Sequence, residues 1–512
     1  MAAVERRRGV VHAGLAAALA VVGLLAVGVA AAPAAGDPPT PVEQWYRLEI
    51  DGRPCGRQLR SESRHDGVIE TLERTELAVS RDGTEIAVEI ELQVTETEAG
   101  RPVAAKRRFG TGEASVTTSW NFEDDAVVVR ESQGGRERVE RIAVPPRDPQ
   151  SPWLAPAQAD AFAAARRAAG SAEISMKVLS FERGLEVVAI EATKVGEERF
   201  PWEDREIPAT RWRVRMEGDP TESTQLWSRD GRLLESTVRT GLGDLKSTLC
   251  SAEAAARWRD GALPDLIRAT VIPIAGTMPR RGEAALRLSM RGGSLPDLPE
   301  NTRQSFTRID EKSATVVLFD SDRPSDGASE PPGAAASAAS AFVDLDDPLL
   351  RELALERGPA SDASTAATVE GLRRLVRGHL RTKDLSSAFA SASEAARSRQ
   401  GDCSEHATLL CALLRIRGIP ARVAVGLVHA DRFAGRRNVF AWHVWTQAWI
   451  DGGWRDVDAT EVRTGDARRI AVAYSDLAQG AFDPAWSATL PLMGGLEITV
   501  TRRASDDPEA AR

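Results

Sequence analysis

The sequence predicts an α+β, multidomain protein in which antiparallel β-rich domains precede a C-terminal domain that mixes helices and strands. The chain has 512 residues, about three times what one hydrophobic core organises, so we expect several domains. Apolar and polar residues alternate with period two through much of the chain up to about residue 251, for example in Trp45–Ile50 and Glu85–Leu92. After Asp346 the apolar residues recur at helical spacing instead.

Composition and charge exclude several classes of protein. Apolar residues make up 42% and charged residues 28% of the chain, as in ordinary soluble proteins. The 66 basic and 75 acidic residues give a formal charge of −9, which argues against a nucleic-acid partner because such a partner requires a basic face. Four cysteines without a CxxC pair argue against a disulfide-framed scaffold and a zinc ribbon.

Residues 1–34 have the pattern of a signal peptide or an N-terminal membrane anchor. Three arginines precede an uncharged run from Gly14 to Ala32, which ends in small residues. The run is long enough to span a bilayer if it is not cleaved, but its alanines and glycines insert weakly and therefore favour cleavage. Either alternative predicts that the rest of the chain is secreted or periplasmic.

Residues 40–251 are predicted to form a β-rich accessory domain without catalytic chemistry. Turns such as Asp51-Gly52 and Asp230-Gly231 punctuate the strands, and a helix is expected around Gln158–Ala169. The alternating Glu and Arg residues are interpreted as solvated strand faces. Outside the cytoplasm Cys55 and Cys250 would either form a disulfide or remain two separate thiols, and their spacing does not decide between these alternatives.

The second half of the chain is predicted to contain four segments. A small β-rich segment covers residues 252–322, and residues 323–341, rich in Pro, Gly, Ala and Ser, form a flexible linker. A catalytic domain follows at 345–500, with its core at 368–461. The polar residues 504–512 are expected to be a disordered tail.

The strongest chemical signal surrounds Cys403. Asp402 is a good N-cap, and Glu405 completes a capping-box pattern, so a helix begins at Cys403 and ends before Gly418 and Pro420. The helix dipole favours an anion at this end and therefore a thiolate, which is the nucleophilic form of cysteine. Cys411, eight residues further on, lies on the apolar stripe and is expected in the core.

A histidine and an aspartate follow on two neighbouring predicted strands. The strand that contains His443 turns at Asp451-Gly452-Gly453 into the segment that leads to Asp458. Either two-residue turn places Asp458 on the strand face of His443 and within diagonal reach of it. Cys403, His443 and Asp458 then form the nucleophile, the base and the orienting carboxylate of a thiol acyl-transfer triad. The Cys403 backbone N–H is one candidate oxyanion donor.

Four motifs in this order resemble the transglutaminase-like superfamily, a papain-like fold variant found in many bacterial extracytoplasmic proteins. They are GDCSEHA at 401–407, GIPARV at 418–423, HVW at 443–445 and GWRDVDAT at 453–460. The resemblance implies that the family's catalytic triad is Cys403, His443 and Asp458. Val444 and Ala459 depart from the family's usual residues without removing a catalytic atom, and Gln447 stands where many members have Glu, a change expected at the rim of the site.

The leading hypothesis is an extracytoplasmic cysteine acyl-transfer enzyme, either a transamidase or a peptidase or amidase. It would act on protein or peptide amides through a thioester and would need no cofactor. Trp442, Trp445 and His406 are the predicted substrate-binding residues beside the triad, although most tryptophans here are expected in the core. A metal site built from Cys403, His406, Cys411 and His429 fits no common zinc spacing. The alternative function is a catalytically silent envelope binding or assembly module that retains the fold.

Overall fold

The computed structural model describes residues 42–502 except for short internal gaps. These gaps are residues 82–83, 112–113, 134–135, 183, 218–221, 241, 266–270, 280, 324–330, 341, 382–389, 434, 462–467, 479–488 and 490–491. The predicted N-terminal signal or anchor and the predicted tail lie outside the described residues. No helix among the described residues combines the length and the hydropathy needed to cross a bilayer.

The chain divides into two compact units near residue 265. Residues 42–80 and 85–265 form the first, called the β-rich unit, and residues from 266 onward form the second with 81–84, called the C-terminal unit. Strands account for 54% and helices for 18% of the structure. β structure therefore dominates, with a mixed C-terminal unit.

The β-rich unit is built on one sheet of fifteen strands. Its strands are β1 Val42–Ile50, β2 Arg53–His65, β3 Val68–Arg81, β4 Thr84–Thr97, β5 Pro102–Thr111, β6 Ala114–Phe122, β7 Ala126–Gln133, β8 Arg136–Ala143, β9 Trp153–Leu154, β10 Glu173–Ser180, β11 Glu186–Trp202, β12 Arg205–Met216, β13 Glu222–Ser228, β14 Leu233–Thr240 and β15 Gly243–Cys250. They run in sequence from β8 to β1, continue through β15, and return to β9. Two meanders are thus joined where β1 pairs with β15, because each strand's successor is its hydrogen-bonded neighbour.

Helix α1 (Pro156–Ala168) confirms the predicted interruption of the strands. Glu96 on β4 accepts hydrogen bonds from the backbone N–H groups of Ala157 and Gln158, at 3.0 and 3.1 Å, and so caps the first turn of the helix. Arg60 on β2 donates to Asp160 at 2.8 Å, and these side chains are 13% and 2% exposed. The interpretation of the strand Glu and Arg residues as solvated is therefore wrong for Arg60, because α1 turns Asp160 toward the sheet and the two side chains pair there.

The four cysteines are free thiols. Cys250 lies opposite Trp45, and Trp45 lies opposite Leu59, so Cys250 is level with a residue four positions from Cys55. Strand rise and strand spacing then place the two Cα atoms roughly 16 Å apart, and a disulfide needs less than about 7 Å. The structure therefore favours two separate thiols.

The C-terminal unit has its own sheet of nine strands. They are β16 Val271–Ala275, β17 Ala284–Met290, β18 Gln304–Asp310, β19 Ser313–Leu318, β20 Ala421–Phe433, β21 Arg436–Ile450, β22 Gly453–Val457, β23 Arg469–Ser475 and β24 Leu496–Arg502. The order is β18-β19-β17-β24-β16-β21-β20-β23, and β22 pairs with β21. The strands of the predicted 252–322 segment are therefore hydrogen-bonded into the sheet that carries β20 and β21.

Five helices follow α1 in the described part of the chain, and the longest has fifteen residues. They are α2 Ala252–Ala256, α3 Pro348–Arg351, which continues as a π-helical turn at Glu352–Glu356, α4 Thr365–His379, α5 Ala392–Ser398 and α6 Cys403–Ile416, with 3₁₀ turns at Trp258–Asp260 and Ala334–Ser337. The second 3₁₀ turn lies in the predicted linker. Ala336 is only 1% exposed, and Arg415 donates to the carbonyl of Ala338 at 2.7 Å. The described part of this stretch thus packs on the C-terminal unit.

Helix α6 is the best-buried helix of this unit, since its residues from Cys403 through Arg415 are all buried. At its C-terminal end Arg415 donates through Nε and Nη2 to the carbonyl of Ala421, at 3.1 and 2.8 Å. On its side Thr446 of β21 donates to the carbonyl of Ala407 at 3.0 Å. These bonds fix the helix against β20 and β21.

Candidate active site

Cys403 is the first residue of α6, as the capping pattern predicts. The Asp402 side chain accepts from the Ser404 N–H at 2.9 Å, and Glu405 accepts from the Asp402 N–H at 3.0 Å. Glu405 is fully buried, and burial raises the pKa of its carboxyl to about 7. Gly401 has φ +150°, and a Cβ there would lie 2.3 Å from the Cβ of Glu405. Glycine at 401 therefore permits the close approach that the cap requires.

The register of the β21–β22 hairpin confirms the two-residue turn at Asp451-Gly452. Ile450 pairs with Gly453, and the turn residues have φ values of 49° and 77°, which suit a type I′ turn. The last pair joins Thr446 to Val457. Asp458 follows directly and reaches His443, whose Nε2 lies 2.6 Å from its Oδ2.

The structure brings Cys403, His443 and Asp458 together. Nε2 of His443 is bonded to Asp458, and its Nδ1 is buried without a nitrogen or oxygen partner among the described residues. The Cys403 side chain hydrogen-bonds to this ring. Because Nε2 is bonded to Asp458, Nδ1 is the ring nitrogen that meets the thiol. The three residues are 0%, 2% and 2% exposed.

The electrostatics of the site favour an imidazolium. Burial lowers the pKa of His443, but the charge and hydrogen bond of Asp458, with a contribution from Cys403, raise it to about 10. Burial opposes the charge on Asp458 too, yet the positive charges of His443 and Arg469 hold its pKa well below the usual range. The raised pKa favours a protonated His443 beside the thiol and therefore a thiolate–imidazolium pair.

Both oxygens of Asp458 are fixed by further groups. Oδ1 accepts from the Thr460 N–H at 2.8 Å and from its hydroxyl at 2.7 Å. Oδ2, which bonds His443, also accepts from Nη2 of Arg469 at 3.0 Å. Arg373 on α4 donates to the backbone carbonyl of Glu461 at 2.6 Å. Thr460, the last residue of the fourth sequence motif, thus donates two hydrogen bonds that hold Asp458.

Arg469 and Arg373 were missed by sequence reasoning. Arg469 lies on β23, which pairs with β20, so no local pattern connects it to Asp458. Arg373 lies 85 residues before Asp458, on a helix whose sequence indicates only amphipathicity. The position of Thr460, two residues after an aspartate, is a signal that could have indicated its role.

The predicted substrate-binding residues are all buried. Trp445 stacks on His443, with ring centroids 6.1 Å apart at 21°. Trp445 and Trp442 are 1% and 0% exposed, and their indole N–H groups have no hydrogen-bond partner among the described residues. His406 is 5% exposed, and its Nδ1 bonds the carbonyl of Asp402 at 2.5 Å. The substrate-binding roles predicted for these residues would therefore require the site to open.

Two other residues of the sequence analysis have structural contacts. Gln447 accepts from Arg422 at 2.9 Å and donates to Asp456 at 2.8 Å, so it supports the sheet. His429 bonds Asn438 at 3.2 Å. Within the described part of the chain no three His, Cys, Asp or Glu residues are grouped so that they could hold a metal ion.

Comparison with known proteins identifies a family for part of the chain. Residues 355–459 match the model of the Transglutaminase-like superfamily, close to the predicted core at 368–461. No curated protein matches the sequence.

Three solved structures are similar to parts of the chain. A beta-barrel-like protein with a domain of unknown function from Brucella abortus has 14% identity and a TM-score of 0.33, covering 41% of this chain and 96% of its own. A candidate cysteine protease from Cytophaga hutchinsonii has 16% identity and a TM-score of 0.28, with coverages of 46% and 83%. A candidate protease from Parabacteroides distasonis has 12% identity and a TM-score of 0.18, with coverages of 56% and 66%.

Proposed function

We propose that this chain, whose residues 355–459 form a transglutaminase-like core, is an extracytoplasmic cysteine acyl-transfer enzyme that acts on protein or peptide amides. The observation that carries the proposal is that Cys403, at the start of a buried helix, is hydrogen-bonded to His443, which is in turn hydrogen-bonded to Asp458. The extracytoplasmic location rests on the sequence pattern of residues 1–34.

The proposed reaction gives each member of this triad a separate role, and His443 acts in both half-reactions. Sγ of Cys403 attacks the amide carbonyl, and Nδ1 of His443 gives its proton to the leaving amine as the C–N bond breaks. Asp458 holds the ring through Nε2 and stabilises its positive charge. The thioester is then attacked by an amine, which gives transamidation, or by water, which gives hydrolysis, while His443 accepts the proton of the attacking group.

Two features support stabilisation of the developing oxyanion. The N-terminal end of α6 carries the positive end of the helix dipole, and the reacting carbonyl meets Cys403 there. The buried indole N–H of Trp445, which shares the strand face of His443 and stacks on its ring, is a candidate for a second donor, since a buried donor without a partner is costly.

A silent binding module remains the second candidate function, because the triad is closed off. Cys403 is 0% exposed and His443 is 2% exposed. A peptide amide can reach the sulfur only if the covering side chains move. A module that never opens would retain the same bonds as a purely structural network.

One experiment separates these functions. The mature protein and its Cys403→Ala variant are incubated with glutamine-containing envelope peptides and a tagged primary amine, and the products are resolved by mass. We expect amine incorporation or cleavage with wild type and with Cys411→Ala, which removes an equally buried thiol of the same helix. Loss of both products in Cys403→Ala supports the enzyme. If product formation is independent of Cys403, or no product forms, the silent module is favoured.

A further inference from the structure

Arg469 is a buried cation that contacts the orienting carboxylate of the triad. Its side chain is 7% exposed, and Nη2 lies 3.0 Å from Oδ2 of Asp458 and 2.7 Å from Oε1 of Glu461. Its guanidinium also lies 5.6 Å from the ring centroid of Trp445, the residue stacked on His443. A cation at this depth is retained only where its partners are fixed.

The geometry makes Arg469 and His443 share one oxygen. His443 Nε2 and Arg469 Nη2 both bond Oδ2 of Asp458, at 2.6 and 3.0 Å. Thr460 occupies Oδ1 with two further donors. Rotation of the carboxylate would break all four bonds, so the oxygen that bonds His443 is held in one position.

We propose that Arg469 is a positioning residue that locks Asp458 in its His443-bonded orientation and sets the pH range in which Cys403 and His443 form a thiolate–imidazolium pair. This inference rests on the proposed function and adds a residue to it.

Other charged and titratable groups surround the pair on every packed element, and the effect of Arg469 must be judged against them. Arg373 is already paired with Glu370, at 2.7 Å, and it contacts backbone carbonyls of the 458–461 segment, not the carboxylate of Asp458. Arg469 differs from Arg373 because it bonds the carboxylate of Asp458 directly. The other charged and titratable groups are Asp402, the N-cap of α6, Glu405 and His406 on α6, Arg373 and Glu370 on α4, Asp456 on β22, and Glu461 after β22.

The sign of the expected pH effect follows from charge. Removing a nearby positive charge makes the thiolate of Cys403 harder to form and the imidazolium of His443 harder to deprotonate. Both limbs of a pH profile therefore move to higher pH. One unit charge at about 10 Å and an effective dielectric of about 20 gives a shift on the order of 1 pH unit.

The test measures alkylation of Cys403 by iodoacetamide between pH 5 and 10, resolved by peptide mass, in wild type, Arg469→Gln and Arg469→Lys. Cys411 in the same chain is equally buried and corrects for opening of the unit. We expect Arg469→Gln to shift the Cys403 profile upward by about 1 pH unit, and Arg469→Lys, which keeps the charge, to remain near wild type. Arg373→Gln, which loosens the same segment but removes a charge already paired with Glu370, should lower stability with a smaller shift.

A second variant keeps the proposal testable if Arg469→Gln does not fold. Glu461→Gln leaves the charge of Arg469 less compensated, and its side chain is 19% exposed. We expect its profile to move to lower pH, opposite to Arg469→Gln. Profiles of Arg469→Gln or Glu461→Gln that coincide with wild type would overturn the role of Arg469. If instead wild-type Cys403 reacts like an ordinary thiol of pKa about 8.5, the thiolate pair itself fails, and with it the proposed function.

Discussion

Replacing Asp458 by Asn tests the electrostatic design of the site with almost no change in shape. Asn has one acceptor oxygen in place of two. The Thr460 backbone N–H and the Arg469 guanidinium are donors that cannot accept, and they face different oxygens of Asp458, so the new amide N–H₂ must face one of them. The variant therefore loses a charge and also places two donors against each other.

The magnitude follows from the pKa of His443. At a pKa of about 10, the imidazolium outnumbers the neutral ring roughly a thousandfold at pH 7. Without the Asp458 charge, burial holds the pKa at or below its ordinary value near 6.5, and at most about a quarter of the rings stay protonated. Breaking a buried pair costs about 3–5 kcal/mol, and we expect this loss in the unfolding free energy of the C-terminal unit at pH 7.

The pH dependence has a defined sign. The folded pKa of His443 is raised, so its stabilisation is fully present below about pH 6.5 and is lost as pH rises toward 10. The stability difference between wild type and Asp458→Asn should therefore shrink between pH 7 and pH 10. Turnover that depends on Cys403 should fall on the order of 10⁴-fold, as for an orienting carboxylate.

The assay is hydrogen exchange of β21 and α6 peptides in increasing urea, at pH 7 and pH 9.5. Asp456→Asn is the matched control, since Asp456 accepts from Gln447 and does not contact His443; we expect it to cost less than about 1 kcal/mol. A loss below about 1 kcal/mol in Asp458→Asn, or a difference from wild type that is the same at both pH values, would refute the reasoning.

Three further predictions concern single contacts. Gly426→Ala places a Cβ 2.0 Å from a backbone carbonyl oxygen of β23 and should lower the unfolding free energy by about 3 kcal/mol. Gly452→Ala, at φ +77° with no atom near the new Cβ, should lower it by about 1 kcal/mol. Equal melting temperatures of the two variants would contradict this difference. Thr460→Val removes the hydroxyl that donates to Asp458 and should cost about 1–3 kcal/mol in urea unfolding, with recovery in Thr460→Ser; a variant as stable as wild type would show that the bond is dispensable. Burial raises the pKa of Glu73 in the β-rich unit to about 7, so its ionisation destabilises the fold as pH rises from about 4 toward 7. Glu73→Gln should then raise the melting temperature at pH 8 and leave it unchanged at pH 4. The opposite pattern would exclude this linkage.

The local features of the candidate site were predictable because they depend on near neighbours in sequence. The N-cap at Asp402 and the helix start at Cys403 follow from side chains within three residues of each other. The pairing of His443 with Asp458 follows from one two-residue turn, which sets the register of the whole hairpin. Such features need no knowledge of the rest of the fold.

Features that join distant segments were not predictable. The strands of residues 271–318 alternate like those of the β-rich unit, yet they hydrogen-bond to β24 and β21. Alternation reports which face of a strand is buried, but any apolar face can satisfy it. The buried Arg60–Asp160 pair illustrates the same limit. A sequence pattern predicts that charged residues are exposed, and it does not reveal a partner 100 residues away that allows them to be buried.

The sequence by itself was enough to predict a secretion-type N-terminal pattern, to recognise the transglutaminase-like motifs, and to propose a nucleophile, a base and an orienting carboxylate. These conclusions rest on residue chemistry and short-range backbone geometry. Only the tertiary structure decided which charges surround that carboxylate, that Cys55 and Cys250 lie apart, and that the triad is buried. Each of these depends on how strands separated by tens to hundreds of residues pair, and hydrophobic patterning leaves such pairing open because many partners bury the same apolar face equally well.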